Sequence, residues 1–239
     1  MNDPIAAATL RVFFPTTSQW PGWHVPEFSL TSLTPSHDSA QEIIVKVDPE
    51  SRSDYSSDSP VFRALRLSSS IEGPEGPSIF ALKFAMREDL VDGLEEESRI
   101  YHHAQTLQGT AIPRCFGIYT GMGEQGQQIA CLVLEYWGEC LQQPFPVLPL
   151  DLKMQILERL SAIHREGLLH GDFAERNVLL HEGDVRIIDF DQTESGHDCR
   201  CKMNFRPGEK LPDIEDFGCD QLWEVCRSYL RIWDTTTGV

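Results

Sequence analysis

An α+β fold with a strand-rich first half and a shorter helical second half follows from three features of the 239-residue sequence. Short β-branched and aromatic runs bounded by turn residues crowd the first half. Apolar residues recur at helical spacing over 88–108, 151–165 and 213–233. Between the last two of these lies a compact hairpin pattern, Val178–Leu180 and Val185–Ile188 around the turn His181-Glu182-Gly183-Asp184.

In chain order, residues 1–40 are rich in Pro, Ser and Thr, with Trp20, Trp23 and Phe28 interspersed. They read as an extended leader whose aromatic side chains pack onto the part that follows. Glu42–Val47, Val61–Leu67 and Ser78–Phe84 read as strands, the last two joined by the turn-rich Glu72-Gly73-Pro74-Glu75-Gly76-Pro77. A helix is predicted over Glu88–Gln108, with Leu94, Tyr101 and Ala104 on one stripe. Cys131–Tyr136 reads as a buried strand leaving the first part. Asp151–Arg165 reads as an amphipathic helix with Ile156, Leu160 and Ile163 inward, Asp151 as N-cap and Gly167 as the stop. A final helix over 213–233 is predicted to turn Phe217, Leu222, Val225, Tyr229 and Trp233 inward. The expected division is a leader at 1–40, a first lobe at 41–136 and a second at 137–239, together one domain.

Apolar residues make up 41% and charged residues 24%, the profile of a globular chain with a substantial core. The formal net charge of −17 argues against nucleic acid, whose phosphates need clustered Lys and Arg, and against anionic membranes. The start has no basic region followed by an apolar one, and no apolar run is long enough to span a bilayer, so an intracellular protein is expected. Of seven cysteines, Cys199 and Cys201 form the one close pair. Their spacing is too tight for a usual zinc knuckle and no second pair matches it, so reduced thiols are expected.

The chemistry concentrates in Leu168–Leu180, an apolar run followed by His170-Gly171-Asp172, then Asn177, then a second apolar run. Twelve residues beyond Asn177, Val185-Arg186-Ile187-Ile188 ends in Asp189. This is the layout of a phosphoryl-transfer loop, in which one carboxylate positions a hydroxyl while an amide oxygen and a second carboxylate hold a hard cation on phosphates. His164 and His170 read as structural histidines. Of Glu95, Glu96 and Glu97, only Glu97 shares the inward stripe of the first helix, where a carboxylate needs a cationic partner. Lys83, in the strand Ser78–Phe84, is the expected one.

The order of elements and these motifs resemble the protein-kinase-like superfamily over about residues 40–233, and more closely short kinase-like proteins of filamentous fungi. The resemblance implies a bilobal fold with a β-rich N-lobe and a truncated helical C-lobe. It further implies ATP and Mg²⁺ as cofactors and γ-phosphate transfer to a hydroxyl acceptor, a protein Ser, Thr or Tyr. By this resemblance Asp172 is the catalytic-loop aspartate, Asn177 and Asp189 are the Mg²⁺ ligands, and Lys83, held by Glu97, contacts the α- and β-phosphates. Leu134-Glu135-Tyr136-Trp137 matches the hinge, where backbone groups of Glu135 and Trp137 would meet an adenine edge.

Four departures from the pattern stand out. The loop Ser51–Pro60 has no glycine to let backbone N–H groups approach phosphates, and carries Asp54 and Asp58. Gly171 replaces the arginine that answers a phosphorylated segment, a form similar to aminoglycoside and choline kinases and some atypical protein kinases. Ala174 stands where a lysine is usual, and Arg176 is the expected substitute for its charge. Asp191 replaces the glycine after Asp189-Phe190, and the stretch beyond it has no Ala-Pro-Glu motif. Two alternatives therefore stand beside an active phosphotransferase: a pseudokinase that binds but transfers little, and a small-molecule kinase.

Overall fold

A computed structural model of the chain describes residues 9–15, 26–33, 42–51, 59–67, 78–202, 205 and 211–234. The chain divides into two compact units, Met1–His102 with Arg114–Tyr136, and His103–Pro113 with Trp137–Val239. The expected division assigned 103–113 to the first part, but this segment packs with the second. There Ile187 N–H donates to Ala111 O at 2.8 Å and Arg186 donates to Gly109 O at 2.9 Å.

The first unit is a closed barrel of seven strands: β1 (Thr9–Phe13), β2 (Glu27–Ser32), β3 (Glu42–Val47), β4 (Val61–Arg66), β5 (Ile79–Ala85), β6 (Cys115–Met122) and β7 (Gln128–Glu135). Around the barrel they run β1-β2-β6-β7-β5-β4-β3 and back to β1. Every pairing is antiparallel except the parallel closure of β1 on β3. Side chains alternate across the wall, as the period of two demands. Inside, Phe14 meets the rings of Phe28 and Phe62 edge-on at 5.7 and 5.6 Å, and Phe62 meets Phe84 at 5.9 Å. These rings fill the barrel as a hydrophobic core.

The expected leader is thus corrected. Residues 9–13 and 27–32 are barrel strands, and Leu10 and Val12 are fully buried inside. Trp20 and Trp23, expected to pack as part of that leader, lie outside the described residues, as do Asp54, Asp58 and the turn Glu72–Pro77. Strand β6 is a second feature that the sequence reading passed over.

Helix α1 spans Glu88–His103, shorter than the predicted 88–108. A 3-10 turn at Gln105–Leu107 replaces its last turn, and the chain reverses so that Leu107 O accepts N–H bonds from Thr110, Ala111 and Ile112. Its buried stripe is Val91, Leu94, Glu97, Ile100 and Tyr101.

In the second unit α2 (Leu150–Arg165) buries Ile156, Leu157, Leu160, Ile163 and His164. Its N-cap is Pro149, not Asp151; Asp151 lies in the first turn, where its charge favours the helix dipole. Strands β8 (Glu139–Cys140), β9 (Leu168–Leu169), β10 (Val178–His181), β11 (Asp184–Ile187) and β12 (Glu194–Ser195) belong to the same unit. They form the small sheets β11-β10-β8 and β12-β9. The β10–β11 hairpin turns on Glu182 and Gly183, both at positive φ (49° and 85°), the geometry of a tight two-residue turn.

The single helix predicted over 213–233 is instead α3 (Ile214–Phe217), α4 (Asp220–Glu224) and a π-helical turn, Val225–Tyr229. Gly218 interrupts it at φ +84°, with its Cα so close to Arg200 O that a Cβ would stand 2.4 Å away. The wider π turn then shifts the inward face, so that Cys226 and Leu230 are buried while Tyr229 is 46% exposed.

Candidate phosphoryl-transfer site

Lys83 lies on β5, hydrogen-bonded between β4 and β7 and opposite Val61 and Leu132. Alternation turns Lys83 away from the phenylalanine core, towards α1. There Lys83 Nζ donates to Glu97 Oε2 at 2.7 Å, with side-chain exposures of 12% and 1%. Glu95 and Glu96 face Arg99 instead, at 3.6 Å for Glu95. The helical register expected for Glu97 is the one adopted.

The second unit gathers Asp172, Arg176, Asn177 and the strand leading to Asp189. The chain leaves β9, turns through His170–Ala174, makes a 3-10 turn at Glu175–Asn177 and enters β10. Asn177 is 3% exposed, and its Nδ2 donates to Asp172 O at 2.8 Å and Asp172 Oδ2 at 3.2 Å. With the amide hydrogens directed at Asp172, Oδ1 is the atom of Asn177 suited to a cation. Two further bonds tie the loop to the strand end before Asp189. Ile188 N–H donates to Asn177 O at 3.0 Å, and His170 Nε2 bonds Ile188 O at 2.8 Å. Burial pushes the His170 imidazole below its ordinary pKa, against the opposing pull of the Ile188 carbonyl. Near neutral pH it is therefore an uncharged N–H donor to that carbonyl.

Asp189 adopts φ +71°, a left-handed conformation that costs a non-glycine residue about 1 kcal/mol and that Asp tolerates better than most. Such conformations cluster at functional sites. Phe190, 1% exposed, packs beside the His170 ring at 5.2 Å. The chain then doubles back, and β12 pairs with β9 at Glu194–Leu169 and Ser195–Leu168. On this return Gln192 crosses Gly171. A Cβ there would lie 2.0 Å from Gln192 O, and φ is +76°. No larger residue fits the place an arginine would take.

Arg176 Nη2 approaches both carboxylate oxygens of Asp172, at 2.7 and 2.5 Å, while its own side chain is 65% exposed. In the expected hinge, Glu135 N–H donates to Arg114 O at 2.8 Å, and the Glu135 carboxylate accepts from Arg114 N–H at 3.1 Å. The Trp137 ring lies against Arg186, whose Cζ is 4.2 Å from the ring centroid. Sequence reading missed a further set, His164, His197, Cys199 and Cys219, which meets in the second unit. No helix among the described residues is long and apolar enough to cross a membrane.

A loop aspartate bonded to a buried asparagine, tied to the strand end that leads to a second aspartate, is the arrangement expected of a phosphoryl-transfer loop. Comparison with known proteins points the same way. Residues 149–203 match the family model of the RIO domain, and that stretch contains Asp172, Asn177 and Asp189. The chain is similar to the RIO-type serine/threonine-protein kinase Rio1 of Haloferax volcanii, 35% identical over 60 residues, 21% of each chain. It is also similar to the KEOPS complex subunit Bud32 of Pyrococcus abyssi, 29% identical over 103 residues, 41% of this chain and 43% of that protein. The matched regions thus span less than half the length of either relative.

Proposed function

We propose that this protein binds ATP with Mg²⁺ and transfers the γ-phosphate to a hydroxyl, that of a protein serine, threonine or tyrosine. The observation that carries this reading is the bonded set of Asp172, Asn177 and Ile188–Asp189, lying wholly within the stretch that matches the RIO domain. The kinship with short fungal kinase-like proteins belongs to the same proposal.

The donor set suits a hard cation: a carboxylate at Asp189 and the amide oxygen of Asn177, with phosphate and water completing the shell. Mg²⁺, when bound, supplies charge neutralisation on the phosphates. Asp172 would orient the attacking hydroxyl and accept its proton, while Lys83, held by Glu97, would contact phosphate. Backbone groups of the Glu135–Trp137 stretch would meet the adenine; the Glu135 N–H itself donates to Arg114 O. Most of the rate gain in such a site comes from positioning and electrostatics. The test is thermal denaturation with and without ATP and Mg²⁺. A ligand at about 100 times its Kd adds roughly 2.7 kcal/mol of stability, so a clear rise is expected. An unchanged midpoint at saturating nucleotide would remove the proposal.

One observation favours a second reading, a binding module that transfers little. Arg176 occupies both oxygens that Asp172 would offer a substrate hydroxyl. For transfer, Arg176 has to leave Asp172, and the charge of a bound γ-phosphate is a natural attractor for it. An Arg176→Ala variant separates the two readings: loss of transfer marks a catalytic role, and a gain marks a blocking one.

A further inference from the structure

Four side chains with metal-ligand chemistry meet in the second unit, drawn from three separate stretches of chain. His164 is in the last turn of α2, His197 and Cys199 follow β12, and Cys219 sits between α3 and α4. One ligand atom from each lies within 4.8 Å of all the others. Cys219 Sγ is 3.5 Å from His197 Nε2 and 3.7 Å from His164 Nδ1. The two imidazoles are nearly perpendicular, at 81°, with centroids 4.9 Å apart, so their nitrogens converge and the rings do not stack.

These distances have a chemical meaning. Zinc in a tetrahedral site lies about 2.3 Å from sulfur and about 2.0–2.1 Å from nitrogen, which separates neighbouring ligand atoms by roughly 3.3–3.8 Å. The two Cys219 separations fall in that range. His164 and Cys219 are each 4% exposed, so an ion here would be largely shielded from water. Two thiolates and two neutral imidazoles would also balance a divalent charge, which a buried ion needs.

The backbone holds the ligand-bearing segments together by its own bonds. Gly196 and His197 N–H both donate to Gly167 O, at 2.9 and 3.0 Å, which fastens the segment to the end of α2. Close packing of Gly218 on Arg200, with Lys202 N–H donating to Phe217 O at 3.3 Å, brings Cys219 to the Cys199–Cys201 stretch. None of the seven cysteines is in a disulfide.

We propose that His164, His197, Cys199 and Cys219 form a Cys₂His₂ site for a structural zinc ion. Four protein ligands leave no open position, which is the mark of a structural and not a catalytic site. The ion binds with loss of the two thiol protons to solvent and no change of oxidation state. It fastens the segment after Asp189 to α2 and to the α3–α4 junction. Because that same segment places Gln192 on Gly171, the ion would also steady the loop that carries Asp172.

The proposal is tested on the full chain by metal content and by cobalt substitution. Protein purified without chelator is expected to carry one zinc per chain by elemental analysis. Cys199→Ser and Cys219→Ser should lose it, while Cys201→Ser and Cys140→Ser keep it. Protein stripped of metal and titrated with Co²⁺ should show the intense visible bands of a tetrahedral thiolate complex, bleached by added Zn²⁺. If a ligand variant fails to fold, the cobalt spectrum of the unaltered chain decides alone. Folded protein with substoichiometric zinc and only weak, octahedral cobalt bands would overturn the proposal and leave a thiol–imidazole cluster. Zinc retained by both ligand variants would overturn it as well.

Discussion

Lys83 Nζ and Glu97 Oε2 lie 2.7 Å apart, and the carboxylate end of that pair is all but sealed from solvent. Burial makes the pair asymmetric. Removing the lysine leaves Glu97 buried without that cation, at a cost of about 3 kcal/mol, whereas Lys83 retains some contact with water if the carboxylate is lost. Lys83→Met should therefore destabilise the chain more than Glu97→Gln, and the double variant should cost less than the two singles summed. Chemical denaturation of the four proteins measures this. Additive losses would show that the pair does not act as a unit.

Gly171 and Gly126 share a positive φ, +76° and +79°, but differ in their surroundings: Gln192 O faces Gly171, and nothing lies within 4 Å of a Cβ at Gly126. Gly126→Ala should cost about 1 kcal/mol, the strain of a left-handed alanine. Gly171→Ala should cost roughly 3 kcal/mol and weaken nucleotide binding, because either the return segment or the Asp172 loop has to move. Equal costs in denaturant would mean that the close approach of Gln192 is not maintained.

Glu182 occupies the first position of the β10–β11 turn at φ 49°, where asparagine is far better suited. Glu182→Asn is expected to stabilise the protein by about 0.5–1 kcal/mol without affecting nucleotide binding. A destabilised variant in a denaturant titration would contradict the turn geometry.

Much of this arrangement is legible in the sequence, for physical reasons that also mark where legibility ends. Glu97 could be singled out because a helix repeats every 3.6 residues, so one of three adjacent glutamates falls on the stripe of Leu94 and Tyr101. The β10–β11 hairpin announced itself by two apolar runs around a short polar turn. Strands β1 and β2 did not, because Pro, Ser and Thr dominate their surroundings, although Leu10 and Val12 alternate with Thr9 and Arg11 as an inside–outside strand should. Gly117 and Gly121 disguised β6 in the same way. The break at Gly218 depends on Arg200, a distant neighbour that no local pattern reports. The Cys/His cluster was hidden most completely, since Cys219 and His164 are 55 positions apart and only tertiary packing joins them.

Asp189 and Asp191 stand two positions apart, yet one follows the hairpin strand in a left-handed conformation and the other is exposed. Asparagine tolerates that conformation, so Asp189→Asn removes charge without forcing the backbone. It should abolish Mg²⁺-dependent nucleotide binding, while Asp191→Asn retains most of it, as read by calorimetric titration with and without Mg²⁺. Equal losses would mean that both carboxylates hold the ion, an arrangement that shifts weight toward a small-molecule kinase.

Transfer of label from γ-labelled ATP, run beside nucleotide binding, decides whether Asp172 supports phosphoryl transfer. The proteins compared are the unaltered chain and Asp172→Asn. Slow, Mg²⁺-dependent transfer by the unaltered chain is expected, unchanged by prior phosphatase treatment because Gly171 leaves no arginine to read a loop phosphate. Asp172→Asn should bind nucleotide and transfer nothing. Intact MgATP binding by the unaltered chain with no more transfer than Asp172→Asn would contradict it, and would make this protein a nucleotide-binding module.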